Sequence, residues 1–66
     1  MASAMDSIVD RYVRVKNRAA LEEMRMHRHR LVNLFLHSQE RDYNVSSAIR
    51  SLDDDLSAIE AGIERL

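Results

Sequence analysis

The apolar residues in the last third of the chain, Val45, Ile49, Leu52, Leu56, Ile59, Ile63 and Leu66, are separated by 4, 3, 4, 3, 4 and 3 positions. That alternation keeps all of them on one narrow side of an α-helix and is incompatible with the period of two of a half-buried strand. A seam of this kind must lie against another helix, so the preceding residues have to supply one. Composition points the same way: with no proline, one glycine and no tryptophan, the chain favours helix throughout. Sixty-six residues form one small domain, spanning 1–66. A chain this short buries only about 60% of the surface its unfolded form exposes. It has no cysteine for a disulfide or a zinc site, so well-packed helices or association with another chain must provide stability.

No strong breaker interrupts the first part of the chain before the cluster Arg41-Asp42-Tyr43-Asn44. Ser3 and Asp6 read as a helix start, a capping hydroxyl followed by a carboxylate at the positive helix end, and Ser7 with Asp10 repeats the pattern. The expected fold is all-α, an antiparallel helical hairpin. A long helix runs from about 4 to 40, roughly 55 Å, and a short turn leads to a second helix from about 45 to 66, roughly 33 Å. Asn44 is the expected cap of the second helix, with Asp42 a competitor one register earlier. The unequal lengths leave residues 4 to about 18 overhanging, with Ile8, Val9, Tyr12, Val13 and Val15 among them. The overhang either packs on another chain or folds back near Asn17 as a third short helix, Asn17 capping a helix that begins at Arg18. The strongly helix-forming run Arg18-Ala19-Ala20-Leu21-Glu22-Glu23-Met24 favours the continuous helix.

Within the first helix, Val13, Asn17, Ala20, Met24, His27, Leu31, Leu34 and Ser38 form a second seam of alternating 4 and 3. The expected hairpin contact therefore joins Leu31 and Leu34 to Ile49, Leu52, Leu56, Ile59 and Ile63. Leu21 and Phe35 form a flanking stripe, while Val32 and Leu36 lie on further sides. From Leu31 to Leu36 the helix is apolar nearly all round, more than a two-helix hairpin can cover. This implies an oligomer or a larger bundle. The expected partner-binding residues are Ile8, Val9, Tyr12, Val15, Met26, Val32, Phe35 and Leu36.

The formal net charge of −1 hides a split. Residues 1–30 carry seven Lys/Arg against four Asp/Glu, net +3, and residues 31–66 carry three against seven, net −4. The hairpin places Arg25, Arg28 and Arg30 opposite the stretch from Asp55 to Glu60, which accounts for the split without a ligand. Arg11, Arg14, Arg18, Arg25 and Arg28 also form a basic stripe. A nucleic-acid-binding regulator, a dimeric four-helix bundle tracking phosphates with these arginines, is thus the alternative function.

Chemistry is not written into this pattern. His27 and His29 point about 200° apart on a helix, and the carboxylates of Asp53, Asp54 and Asp55 fan out by about 100° each, so neither set converges on a metal. With no nucleophile elbow, phosphate-binding glycine loop or paired acid and base, the expectation is a non-enzymatic protein without cofactor or metal. His27, in the expected seam, is instead a candidate pH-sensitive contact. The opening residues lack the pattern of a secretory signal, and Leu34-Phe35-Leu36 is the longest strongly apolar run. A cytoplasmic location and no membrane partner follow as expectations.

The tyrosine-containing turn Asp42-Tyr43-Asn44-Val45, followed by Leu52, Leu56, Ile59 and Ile63, resembles the small co-chaperones of type III secretion needle proteins. The resemblance implies a helical hairpin that pairs with a larger helical-repeat chaperone. The chain is also similar in length and seam to the plasmid copy-number regulator that binds paired RNA loops as an antiparallel four-helix bundle. It departs from that bundle in carrying its basic stripe into the overhanging part of the first helix. The expected activity is that of a co-chaperone-like or oligomeric adaptor that buries apolar helix faces against a protein partner.

Overall fold

The computed structural model describes residues 4–38 and 43–66. They form three α-helices packed against one another: α1 (Ala4–Arg14), α2 (Arg18–Leu36) and α3 (Tyr43–Glu64). Ser3, Glu40, Arg41 and Asp42, on which a helix cap, a helix end and a turn were expected, lie outside the described residues. Asn44, the expected cap of the last helix, is already inside α3.

The continuous helix expected from 4 to 40 is broken, and the break has a local cause. Lys16 adopts φ 54°, the left-handed conformation in which a helix commonly ends. Its amide donates to the Val13 carbonyl at 3.0 Å, and the Asn17 amide donates to the Tyr12 carbonyl at 2.9 Å. This pair of bonds is a Schellman cap, which satisfies carbonyls that the end of α1 would otherwise leave open. Asn17 then starts the next helix: its Oδ1 accepts from the Ala20 amide at 3.1 Å. A short amide side chain that binds the backbone three residues ahead competes with helix continuation. That competition decides the fate of a residue that sequence alone leaves between cap and seam. Around the break, Asp6 lies in the first turn of α1 and Arg11 and Arg14 in its last, each matched to the helix dipole.

The fold-back buries the overhang. Val9, Leu21 and Ile59 form the buried centre, at 1%, 0% and 0% exposure. Met5, Tyr12, Val13, Met24, Ala58 and Ile63 pack round them, so all three helices contribute. At Gly62 α1 lies directly against α3. A β-carbon at that position would collide with Val9 Cγ1 and stand 3.4 Å from Val13 Cγ2. A glycine inside a helix costs about 1 kcal/mol relative to alanine, and here the missing side chain makes room for the valine. Two ion pairs tie the layers together. Arg65 Nη2, just past the end of α3, donates to Asp10 Oδ1 of α1 at 2.7 Å, and Arg28 Nε donates to Asp55 Oδ2 at 3.3 Å between α2 and α3. Partly exposed pairs of this kind contribute about 0–1 kcal/mol each, so they orient the helices more than they hold them.

Two predictions follow from the break and the crossing. Because a side chain in the left-handed conformation is strained, Lys16→Gly should stabilise the fold by about 1 kcal/mol, whereas Lys16→Val should destabilise it. Urea unfolding followed by circular dichroism gives the sign of both. Gly62→Ala should gain up to about 1 kcal/mol of helix propensity yet lose about 1–3 kcal/mol to overpacking, a net loss. Adding Val9→Ala should cost less in that background than in the wild type, a coupling measured by a double-mutant cycle.

Candidate interaction surface

α1, at 11 residues, is about 16 Å long, and α3, at 22 residues, is about 33 Å. α1 therefore covers only one half of the groove between α2 and α3. The covered half holds the fully buried apolar side chains Val9, Leu21 and Ile59. In the other half Leu31, Val32, Phe35, Val45, Ala48, Ile49 and Leu52 are all half-buried, and Leu34 is 69% exposed.

The orientation of α2 explains this distribution. Its buried side runs through Leu21, Met24, Arg28, Leu31 and Phe35, a line rotated by roughly 60° from the expected seam through Ala20, Met24, His27, Leu31 and Leu34. The stripe expected to flank the contact is its centre. Leu34 is consequently corrected from hairpin seam to surface, and His27 is exposed. The expected seam is nonetheless a face with an occupant at one end. Tyr12 of α1 shares a cleft with Ala20, Met24 and His27. Farther along the same flank Leu31 and Leu34 follow, beyond the reach of α1. Of the remaining expected seam residues, Leu56 and Ile59 are buried and Ile49, Leu52 and Ile63 half-buried.

The expected partner-binding residues divide. Val9 is withdrawn into the chain's own core against Gly62, and Tyr12 packs on the same core, because the fold-back of α1 brings both inward. Val32 and Phe35 are half-buried. Ile8, Val15, Met26 and Leu36 are exposed, at 43%, 65%, 53% and 40%. Met26 and Leu34 stand on the outer side of α2, where Arg30 Nη2 lies 3.3 Å from Met26 Sδ. Arg30, Asn33, Leu34 and His37 line a shallow cleft of about 400 Å³ there. His37 Nδ1 lies 2.7 Å from the Asn33 carbonyl, an arrangement that selects the Nδ1–H tautomer. Leu34 and its surroundings were the least visible part of the site in sequence, since Leu34 has seam spacing; the available signal was that the seam outruns α1.

The arginine stripe is not continuous. The break at Lys16 and Asn17 places Arg11 and Arg14 on α1 and Arg18, Arg25 and Arg28 on α2. The three on α2 have carboxylate neighbours: Arg18 Nε is 3.6 Å and Arg25 Nη2 2.7 Å from Glu22, and Arg28 is held by Asp55. Arg11 and Arg14 border a shallow cleft with Ser7, Asp10 and Val15. His29 Nε2 stands 3.6 Å from Glu60 Oε1, an ion pair only when the imidazole is protonated. Among the described residues no three His, Cys, Asp or Glu side chains gather to hold a metal ion, and no helix is long and apolar enough to cross a membrane.

The two halves of the groove should respond differently to substitution. Leu21→Ala in the covered half should cost about 2–5 kcal/mol, enough to unfold much of so small a domain. Leu34→Ser on the exposed side of α2 beyond α1 should shift stability by no more than about 0.5 kcal/mol, as measured by thermal unfolding of dilute protein. The chain matches no family model, no curated protein and no solved structure.

Proposed function

We propose that the protein is a small, non-enzymatic protein–protein interaction module, a co-chaperone-like or oligomeric adaptor acting in the cytoplasm. In this reading α2 and α3 form an antiparallel hairpin, α1 closes one end of it, and the open end receives a helix of a protein partner. The single observation that carries the proposal is the apolar surface α2 leaves in the open, where Leu34 is 69%, Met26 53% and Leu36 40% exposed. Apolar side chains along a helix at spacings of three and four are the anchors of helix-in-groove recognition. A role beside a larger helical chaperone, as in type III secretion, is one specific form of this function.

Pairing of Arg18, Arg25 and Arg28 with carboxylates weighs against the nucleic-acid alternative, because charge already neutralised within the chain releases fewer counterions from a phosphate backbone. Photo-crosslinking decides between them. The chain has no cysteine, so a benzophenone attached through Leu34→Cys reports from the exposed apolar side of α2 alone. In cells of origin it should yield protein adducts, while the purified protein should leave duplex RNA and DNA unshifted at about 0.15 M salt. Absence of any protein adduct, together with duplex binding that falls steeply with salt and is lost in Arg11→Ala/Arg14→Ala, would overturn the reading.

A further inference from the structure

We infer that the seat on which α1 lies also receives α1 from a second copy of this chain. In the pair, residues 4–36 of each copy form one continuous helix, and Val9 of each copy packs on Gly62 of the other. This seat lies apart from the open end and already displays the occupant that fits it.

The connection between α1 and α2 favours the exchange. Only Val15, Lys16 and Asn17 separate the two helices, and Lys16 holds φ 54° without being a glycine, a strained position for a residue with a side chain. The chain has its one glycine at position 62 and no proline, so nothing within 4–36 forbids a straight helix. Straightening breaks the bonds from the Lys16 amide to the Val13 carbonyl, from the Asn17 amide to the Tyr12 carbonyl and from the Ala20 amide to Asn17 Oδ1. A continuous helix offers each of these amides the carbonyl four residues back, so no donor is orphaned and the strain at Lys16 is released in both copies.

What α1 touches is equally transferable. α1 lies more against α3 than against α2. Val9 sits on Gly62 with Val13 beside it, and Asp10 Oδ1 accepts from Arg65 Nη2 at 2.7 Å. These contacts depend on which side chains meet and not on which chain carries them, so each re-forms across the pair. Withdrawing α1 with nothing in its place would bring Val9, Leu21 and Ile59, all buried now, into water. An α1 from a second copy covers them with identical shape and charge, and two such exchanges about a two-fold axis close the pair. The folded-back chain and the exchanged pair thus share one core, and protein concentration sets the balance between them.

Crosslinking reads the arrangement directly. Asp10 and Arg65 have half-exposed side chains and the chain has no cysteine of its own, so Asp10→Cys/Arg65→Cys can be joined by a short bis-maleimide. The link closes within one chain when α1 folds back and between two chains when it is exchanged. Heated and cooled at about 500 μM, the protein should give a two-chain product on a denaturing gel and twice the monomer mass by sedimentation, whereas at about 5 μM it should give the single-chain product. Asn17→Ala removes one cap from each separate chain and should lower the concentration needed by about 30-fold. Lys16→Gly, which relieves the folded-back turn and weakens the straight helix, should raise it by about 30-fold. Single-chain product alone at about 500 μM, in both the parent and the Asn17→Ala background, overturns the inference. So does a dimer whose links stay within one chain, since its copies then pair through another surface, and so does a two-chain yield that Asn17→Ala and Lys16→Gly do not move in opposite directions.

Discussion

The approach of Val9 to Gly62 is the contact on which the rest of the structure depends. A helix can cross another closely only where side chains do not intervene, and Gly62 has none. With the valine seated there, Val13 and Tyr12 come down beside it, Leu21 and Ile59 are sealed, and the three-helix end acquires its buried centre. The chain must turn back on itself to reach this arrangement. The left-handed Lys16 and the capping side chain of Asn17 make the reversal in three residues. A lysine in that conformation is strained by roughly 1–2 kcal/mol. The two Schellman bonds, the Asn17 cap and the burial of Val9 each return an amount of similar size, so the strain is tolerated because several local gains coincide with one tertiary contact.

How far this was legible from residues alone follows from the same contact. The helical character, the seam of the last helix and the presence of apolar surplus in the first forty residues were readable, because periodicity reports directly on burial of a face. The break was readable only as an alternative. Helix propensity is high on both sides of Asn17, and propensity measures local preference, whereas the decision was made by Val9 finding Gly62 some fifty residues later. The one glycine was itself the neglected signal. A glycine inside an otherwise good helix pattern costs stability unless something lies close against it. The roughly 60° error in the facing side of α2 has a related origin. Ala20, Met24, His27, Leu31 and Leu34 alternate by three and four as well as Leu21, Met24, Arg28, Leu31 and Phe35 do, and spacing alone does not distinguish two such lines. Arg28 disguised the true one, a charged residue at a half-buried position made acceptable by Asp55 across the interface.

The charge split along the chain acquires a structural account at this level. Arg28 with Asp55 joins the basic α2 to the acidic α3, and a protonated His29 would add Glu60, so basic and acidic segments meet because the fold places them together. Each pair contributes little. Their joint effect is to penalise registers in which like charges would face each other, which matters in a molecule whose apolar lines are ambiguous by one residue.

What the fold leaves undone is set by length. The last helix is twice as long as the first, so one helical layer ends where the other continues, and no rearrangement of side chains makes α1 longer. Apolar residues make up 45% of the chain, yet among the described residues only Val9, Leu21, Leu56 and Ile59 are buried large apolar side chains. A chain selected for stability as an isolated monomer would gain solubility from polar residues at Leu34 and Met26 at little cost in folding, since neither is buried. Their apolar identity fits the proposed interaction module, in which the closed end would supply the order that presents the open end to a partner. On that proposal α1, an amphipathic helix packed against both α2 and α3, is the pattern for the kind of object the open end would receive.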